Sequence, residues 1–143
     1  MSYSIKLRIH QPNIAVGFFS IVESTVWNYA NGGTWSDADG NQTLTMGGSG
    51  TSGTLRFMSD MGERLIVAIG VHNYKRWCDI ATGLAPNATG VVVNGEYYNS
   101  GKRAYMREKQ LAEYSVTSPA GTKVVIKYTV ADGNCLEADV TIG

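Results

Sequence analysis

The sequence predicts a mainly β fold, a sandwich or barrel of short strands in which one or two short helices link two sheets. Three observations support this prediction. Polar and apolar residues alternate near both ends of the chain, and glycine-rich turns separate short apolar runs. One segment, Pro86 to Gln110, loses the alternation. At 143 residues, the chain is expected to form a single domain spanning residues 1–143.

The strands follow from the hydrophobic pattern. Every second residue from Tyr3 to Ile9 is apolar, so one face of this strand is predicted to lie on the core and the other in water. Residues 123–130 and 136–142 repeat the pattern, and Asp132-Gly133-Asn134 predicts a hairpin turn between them. Four further apolar runs predict strands: residues 18–27, 54–58, 64–71 and 111–116. Turns are predicted at Asn31-Gly32-Gly33, Asp39-Gly40, Gly47 to Gly53 and Asp60 to Gly62.

Helices are expected only in the segment without alternation. Lys102 to Gln110 consists mostly of good helix formers and follows Gly101, which breaks the preceding structure. The segment lies between strands near both ends of the chain. We therefore expect one or two short helices that join the two sheets.

The charge balance excludes the usual electrostatic signature of a nucleic-acid-binding protein. Lysine plus arginine and aspartate plus glutamate both number 12, so the formal net charge is zero. Only 17% of the residues are charged, whereas Gly, Thr, Ser and Asn make up about a third of the chain. We expect a polar but largely uncharged surface.

No targeting segment, membrane span or metal site is indicated. The N-terminal residues alternate instead of forming an apolar signal sequence, and the longest apolar stretch, Leu65 to Val71, is far shorter than the roughly 20 residues of a spanning helix. We expect a cytoplasmic protein. The two cysteines, Cys78 and Cys135, are not part of a CxxC motif and are predicted to be buried free thiols.

The sequence offers little for catalysis. A nucleophilic site needs a base, and only His10 and His72 could supply one. His10 is predicted to lie on the polar face of an outer strand near the N-terminus, where a solvated surface histidine is the simpler interpretation. No pair of carboxylates can be identified for glycoside hydrolysis, because folding sets their separation. We expect no catalytic residues and no cofactor.

His72 is more informative because it ends an apolar strand and begins a polar, aromatic segment, His72 to Asp79. Segments that follow strand ends often carry sites. Asp79 is predicted to be partly buried, which requires hydrogen-bond partners or a counter-charge from Arg103 or Arg107. Four nearby tyrosines are either core residues with exposed hydroxyls or a platform for carbohydrate: Tyr97, Tyr98, Tyr105 and Tyr114.

The glycine-rich segment Gly47 to Gly53 admits two interpretations. Consecutive amides can bind phosphate, but the segment lacks the Lys-Ser/Thr of a P-loop and precedes no convincing helix. It is then either a plain surface loop or a site for a neutral polyol, because small side chains allow a ligand to approach the backbone closely.

Three motifs resemble the fungal fruit-body lectins of mushrooms and boletes. They are Tyr29-Ala30-Asn31-Gly32-Gly33-Thr34-Trp35, Leu44-Thr45-Met46-Gly47-Gly48-Ser49-Gly50-Thr51-Ser52-Gly53 and Gly70-Val71-His72-Asn73-Tyr74-Lys75-Arg76-Trp77-Cys78-Asp79. The resemblance runs from Ser4 to the end of the sequence. It implies a β-sandwich of two sheets joined by a short helix-loop-helix, an actinoporin-like fold, assembled as a homotetramer.

The resemblance also implies two sugar sites in each protomer. The site for galactose and N-acetylgalactosamine, including the T-antigen disaccharide Galβ1-3GalNAc, falls on Ala30, Ser49, Gly50, His72, Asn73 and Tyr74. The site for N-acetylglucosamine falls on Asp79, Ile80, Thr82, Arg103 and Tyr114. Asn73 can donate to and accept from neighbouring hydroxyls, and Asp79 would accept from the second sugar. Thr82 and the backbone near Ile80 would hold its acetamido group, with Arg103 and Tyr114 closing the pocket.

A non-enzymatic, multivalent lectin is therefore the function expected, with glycans and glycoproteins as partners and a defence or antiproliferative role. Two alternatives remain: a pore-forming protein, since the implied fold is shared, and a glycosidase. The segment Val91 to Glu96 and Cys135 depart from the pattern expected of the family, and neither touches the implied sites.

Overall fold

The computed structural model describes residues 1–143, which fold mainly into β-strands. A single 3-10 turn lies at Ile14–Val16. The strands are β1 (Tyr3–His10), β2 (Phe19–Trp27), β3 (Gly33–Ala38), β4 (Asn41–Met46), β5 (Ser52–Ser59), β6 (Arg64–His72), β7 (Lys75–Ala81), β8 (Glu113–Thr117), β9 (Lys123–Val130) and β10 (Cys135–Ile142), and the helices are α1 (Gly90–Gly95) and α2 (Ala104–Lys109).

The strands form two sheets. A six-stranded sheet has the order β3-β4-β1-β10-β9-β8, and a four-stranded sheet has the order β2-β5-β6-β7. Every neighbouring pair is antiparallel except β1 and β10, which run parallel with Ile5 opposite Leu136. The first and last strands therefore lie side by side at the centre of the larger sheet.

The main core lies between the sheets. It contains 21 buried residues, and β1 contributes Tyr3, Ile5 and Leu7, as its alternation predicts. From the other sheet come residues such as Leu55, Leu65 and Ile69. Burial of both facing surfaces defines a β-sandwich, so the predicted fold class is confirmed.

A second, smaller core lies on the outer face of the four-stranded sheet, beneath the helices. Ile66 and Ala68 of β6 pack there with Trp77, Tyr97 and other residues of an eight-residue cluster. β6 is thus buried on both faces, which explains why its sequence is continuously apolar and does not alternate.

The helices connect the two sheets as predicted, because α1 and α2 lie between β7 and β8. Thr89 caps α1 by accepting a hydrogen bond from the Val92 amide. The Gly90 amide donates to Oε1 of Glu23 on β2, 2.7 Å away. Neither helix is long and apolar enough to cross a membrane.

Three strands are absent from the sequence-based prediction. β3 and β4 are mostly polar, and β7 begins inside the polar, aromatic segment that starts at His72. The first strand is central in its sheet, not an outer strand. Cys135 is exposed, so the prediction of two buried thiols is wrong for this residue; Cys78 is buried. Cys135 begins β10 just after a turn, where its side chain faces solvent.

Candidate functional site

A two-residue turn between β6 and β7 presents the first candidate side chains. His72 pairs with Lys75, and the residues between them, Asn73 and Tyr74, have φ angles of 48° and 67°. Two consecutive residues in this left-handed region form the hairpin turn that matches strand twist. Asparagine tolerates this conformation well, whereas tyrosine adopts it rarely. Tyr74 is 78% exposed, so the turn projects both side chains into solvent.

The glycine-rich loop is fixed against this turn. The Ser49 hydroxyl accepts a hydrogen bond from the Tyr74 amide at 3.0 Å, and the Gly50 amide donates to the Val71 carbonyl at 2.8 Å. The Gly50 carbonyl in turn accepts from the Tyr98 hydroxyl at 3.0 Å. These bonds hold the loop in one position, in contrast to a free surface loop.

A third segment, the turn at residues 29–32, packs on the same loop. Ala30 and Asn31 have positive φ angles, and a Cβ at Gly47 would lie only 2.6 Å from the Asn31 Cβ. A Cβ at Gly50 would lie 2.2 Å from the Tyr29 ring. The glycines are therefore required for close approach of the two segments.

These three segments surround a cavity of about 430 Å³, here called the hairpin pocket. Its walls include five of the six residues predicted for the galactose-type site, and Ala30 lies at its margin against Gly48. Sequence reasoning did not assign four further lining residues: Tyr29, Tyr98, Asn99 and Arg107. Tyr29 belongs to a motif noted in the sequence, but the other three come from the helical region, and only the fold brings them here.

Arg107 provides the one positive charge of the hairpin pocket. Its guanidinium lies 4.7 Å from the centre of the Tyr98 ring, and Nη1 lies 3.5 Å from Nδ1 of His72. The pKa of His72 is lowered, first by burial and then by the charge of Arg107, while Glu108 opposes this. A neutral imidazole is thus favoured beside the guanidinium.

Tyr98 links the hairpin pocket to the rest of the fold. Its ring stacks on Trp27 of β2 with centroids 4.4 Å apart, and its hydroxyl lies 2.6 Å from the Ser52 hydroxyl. Ser52 also donates to Asn94 of α1. The pocket wall is therefore held by both the sheet and the helices.

The residues predicted for the second sugar lie elsewhere. Asp79, Arg103 and Tyr114 interact electrostatically and are called the helix-side cluster below, whereas the Ile80 side chain packs in the main core. Asp79 and Ile80 lie on β7 with Thr82 just after it, while Arg103 precedes α2 and Tyr114 lies on β8. The negative charge of Asp79 raises the pKa of Tyr114, after burial as the larger cause, and Arg103 lowers it. Asp79 and Arg103 are thus near enough to Tyr114 to influence its pKa. None of the five surface cavities is lined by these residues.

Asp79 is only 2% exposed, and its hydrogen-bond partner is neutral. The Tyr97 hydroxyl donates to Oδ2 at 2.7 Å. Burial raises the pKa of Asp79, opposed by this bond, by the Ile80 amide and by the charges of Arg103 and Lys109. The predicted counter-charge is therefore Arg103 and not Arg107, although Arg103 donates its Nε proton to Glu96, 2.8 Å away.

The comparison with protein families is decisive for the family of the chain. Residues 1–140 match the family model described as fungal fruit body lectin. The chain belongs to the fungal fruit body lectin family. This fungal fruit body lectin is accordingly a carbohydrate-binding protein, as the resemblance of its motifs predicted.

Individual relatives agree over almost the whole chain. Boletus edulis lectin is 68% identical over 140 residues, which cover 98% of each chain. A substituted form of Xerocomus chrysenteron lectin has a TM-score of 0.99 and 68% identity, covering 100% of this chain and 99% of its own. For the wild-type form, the TM-score is 0.98 and the identity 66%, with full coverage of both chains.

A more distant match shows the fold alone. The lipid binding protein Nakanori has a TM-score of 0.58 and 10% identity, covering 99% of this lectin and 71% of its own chain. The two-sheet architecture is thus shared by proteins with very different sequences.

Proposed function

We propose that this lectin binds neutral glycans at two sites without transforming them. The hairpin pocket would take galactose and N-acetylgalactosamine, including the disaccharide Galβ1-3GalNAc. The helix-side cluster would take N-acetylglucosamine. The observation that carries the proposal is the convergence of Ser49, Gly50, His72, Asn73 and Tyr74 around one open cavity.

The chemistry of the hairpin pocket fits a sugar. The Asn73 amide both donates and accepts hydrogen bonds, as neighbouring hydroxyls require. The exposed rings of Tyr29 and Tyr74 offer apolar faces for sugar C–H groups. Since both turns and the glycine loop are held by hydrogen bonds, binding would need little ordering of the protein.

Support for the second site comes from the grouping of Asp79, Arg103 and Tyr114 around β7. A buried carboxylate already bound by Tyr97 is held in a fixed orientation. Its free oxygen and the Arg103 guanidinium would then provide an acceptor and donors for sugar hydroxyls. Thr82, at the end of β7, is half-buried and would contact the acetamido group.

Two substitutions test the sites separately by calorimetric titration with N-acetylgalactosamine and N-acetylglucosamine. Asn73→Ala should weaken only the binding of N-acetylgalactosamine. Arg103→Ala should weaken only the binding of N-acetylglucosamine. Because Asn73 has a positive φ, Asn73→Gly serves as the companion variant that removes the amide without backbone strain. Loss of both sugars in either folded variant would contradict two separate sites, and a wild-type protein that binds neither sugar would overturn the proposal.

The absence of catalysis is part of the proposal. Incubation with Galβ1-3GalNAc should leave the disaccharide intact, whereas release of free galactose would indicate a glycosidase. Dye release from vesicles without glycans would instead support the pore-forming alternative.

We further propose a homotetramer that acts from the cytoplasm of the fruit body on glycoproteins, with a defence or antiproliferative role. Linked sites in a tetramer can raise avidity by about 10² to 10⁴ over a single site. Light scattering and cell-binding assays with free sugar as a competitor test these points. The multivalent mechanism would be contradicted if the protein were a monomer and its affinity for cells did not exceed its affinity for the free sugar.

A further inference from the structure

A second concavity of the surface lies beside the hairpin pocket and belongs to neither proposed site. It has a volume of about 580 Å³ and lies along the β3–β4 end of the larger sheet. Its polar side chains come from Ser2, Asn28, Asn31, Thr34 and Thr45, and glycine backbone forms part of its floor. This concavity is called the side cleft below.

The lining of the side cleft selects for one class of ligand. It contains no charged residue, and its one hydrophobic residue, Met46, is 1% exposed. Asparagine amides and threonine and serine hydroxyls each donate and accept hydrogen bonds. An ion would find no counter-charge there, and an apolar ligand would bury polar groups without partners. A neutral, hydroxyl-rich molecule satisfies both conditions.

The side cleft and the hairpin pocket are lined by neighbouring residues of the same two segments. Tyr29 lines the pocket and Asn31 lines the cleft, with Ala30 alone between them. On the other segment, Gly47 lines the cleft and Ser49 the pocket, with Gly48 between them. The two cavities are therefore adjacent, and the residues between them along the chain are an alanine and a glycine.

We propose that the side cleft is an extension subsite that binds further neutral sugar units of a glycan whose first unit lies in the hairpin pocket. This inference rests on the proposed galactose-type site and deepens it: the protein reads an oligosaccharide of more than two units. Because the cleft is open, each hydrogen bond replaces one to water, and two or three such bonds raise affinity by about tenfold.

The test uses a series of neutral glycans and one pair of variants. Calorimetric titration compares N-acetylgalactosamine, Galβ1-3GalNAc and neutral tetrasaccharides that extend this disaccharide at either end. Thr45→Tyr places a large side chain in the cleft from an exposed position on β4, where aromatic residues suit a strand. Thr43→Tyr is the matched control, since Thr43 lies two residues away on the same face of β4 but outside the cleft.

For the wild-type protein, we expect at least one tetrasaccharide to bind about tenfold more tightly than Galβ1-3GalNAc, which the hairpin pocket alone would hold. Thr45→Tyr should lose this gain while its affinity for N-acetylgalactosamine stays unchanged, and Thr43→Tyr should retain the gain. In NMR spectra, the side-chain amide signals of Asn28 and Asn31 should shift with the tetrasaccharide beyond their response to the monosaccharide.

The two hypotheses fail in different ways. If the wild-type protein binds N-acetylgalactosamine but gains nothing from longer glycans, or if Thr45→Tyr keeps the full gain, the subsite is wrong and the hairpin pocket stands. If no galactose-type sugar binds at all, both proposals are overturned.

Discussion

Asp79 and Tyr97 are joined by a buried hydrogen bond in which the phenol donates to the carboxylate over 2.7 Å. Both residues lie under the helices, with exposed fractions of 2% and 0%. The bond supplies one partner to a carboxylate that forms no direct ion pair, although the charge of Arg103 acts on it. It also joins β7 to the segment between α1 and α2.

The raised pKa of Asp79 predicts how stability depends on pH. Its ordinary value is 3.8, and burial is the main cause of the increase. The folded state therefore holds this proton more tightly than the unfolded state, so its stabilising effect is complete below 3.8 and disappears as the pH rises through the higher folded value.

Asp79→Asn should remove this contribution. In urea unfolding at several pH values, the free-energy difference between the wild type and this variant should shift in favour of the wild type as the pH falls. Asp132→Asn, in the exposed β9–β10 turn, is the control, because it removes a carboxylate without changing a buried contact. A constant wild-type-minus-variant difference would mean that Asp79 titrates normally.

The lowered pKa of His72 predicts that sugar binding in the hairpin pocket weakens below a certain pH, here called the acid limit. Its pKa lies below the ordinary 6.5, so the ring is neutral above that pH and accepts from Arg107. As the pH falls through the lowered pKa, a charged ring would face the guanidinium, and affinity for N-acetylgalactosamine should decrease. Its contribution to folding is likewise present above 6.5 and lost in acid.

NMR titration of the imidazole and calorimetry measure this effect directly. Arg107→Ala should raise the pKa of His72 and move the acid limit to higher pH. His10→Gln should leave it in place, because His10 is exposed and lies beside Asp139 on the larger sheet. If the pH at which binding is lost does not change in Arg107→Ala, a group other than His72 controls the pH dependence of binding.

Gly47 should tolerate no side chain. An alanine Cβ would lie 2.6 Å from the Asn31 Cβ and 2.8 Å from the Ala30 carbonyl, so Gly47→Ala should cost about 1–3 kcal/mol of stability by overpacking. It should also weaken N-acetylgalactosamine binding by displacing the turn at residues 29–32. Denaturant unfolding and calorimetry measure the two effects.

Gly95→Ala provides the comparison for this substitution. Its Cβ would meet only the Trp27 ring, at 3.6 Å, which is ordinary contact. This variant should be as stable as the wild type within about 0.5 kcal/mol and should bind normally. Equal losses in both variants would mean that close packing at Gly47 has no special role.

The two thiols should differ sharply in reactivity. Cys135 is exposed, whereas Cys78 is buried and burial raises its pKa to about 12. Ellman's reagent should titrate one thiol rapidly in the folded protein and both in denaturant. In Cys135→Ser, the rapid reaction should be absent; rapid labelling of Cys78 in that variant would contradict the described core.

The strands that could be predicted are those whose two faces differ in environment. β1, β9 and β10 have one face on the core and one in water, so their sequences alternate. β3 and β4 could not be recognised because long polar stretches of both lie outside the main core. β7 could not be recognised from its sequence either, because it begins directly after the hairpin turn and its later residues are buried on both faces, so its sequence does not alternate.

The hairpin pocket was predictable only in part, for a similar reason. Ser49, Gly50 and Asn73 lie in motifs that the sequence alone brings to attention. Tyr98 and Arg107 lie in the helical region, where tyrosines and arginines have many ordinary roles. Their place in the pocket depends on how the helices pack over the four-stranded sheet, and no local pattern encodes that packing.

The parallel pairing of β1 with β10 has a consequence for folding. Before β10 is in place, the strands of the six-stranded sheet can pair only as two groups, β3-β4-β1 and β9-β8. The inner edges of these groups, on β1 and β9, would then carry unpaired backbone groups, and such edges favour aggregation. Because β10 pairs with β1 from more than 100 residues away, closure of this sheet is expected to be a slow step of folding.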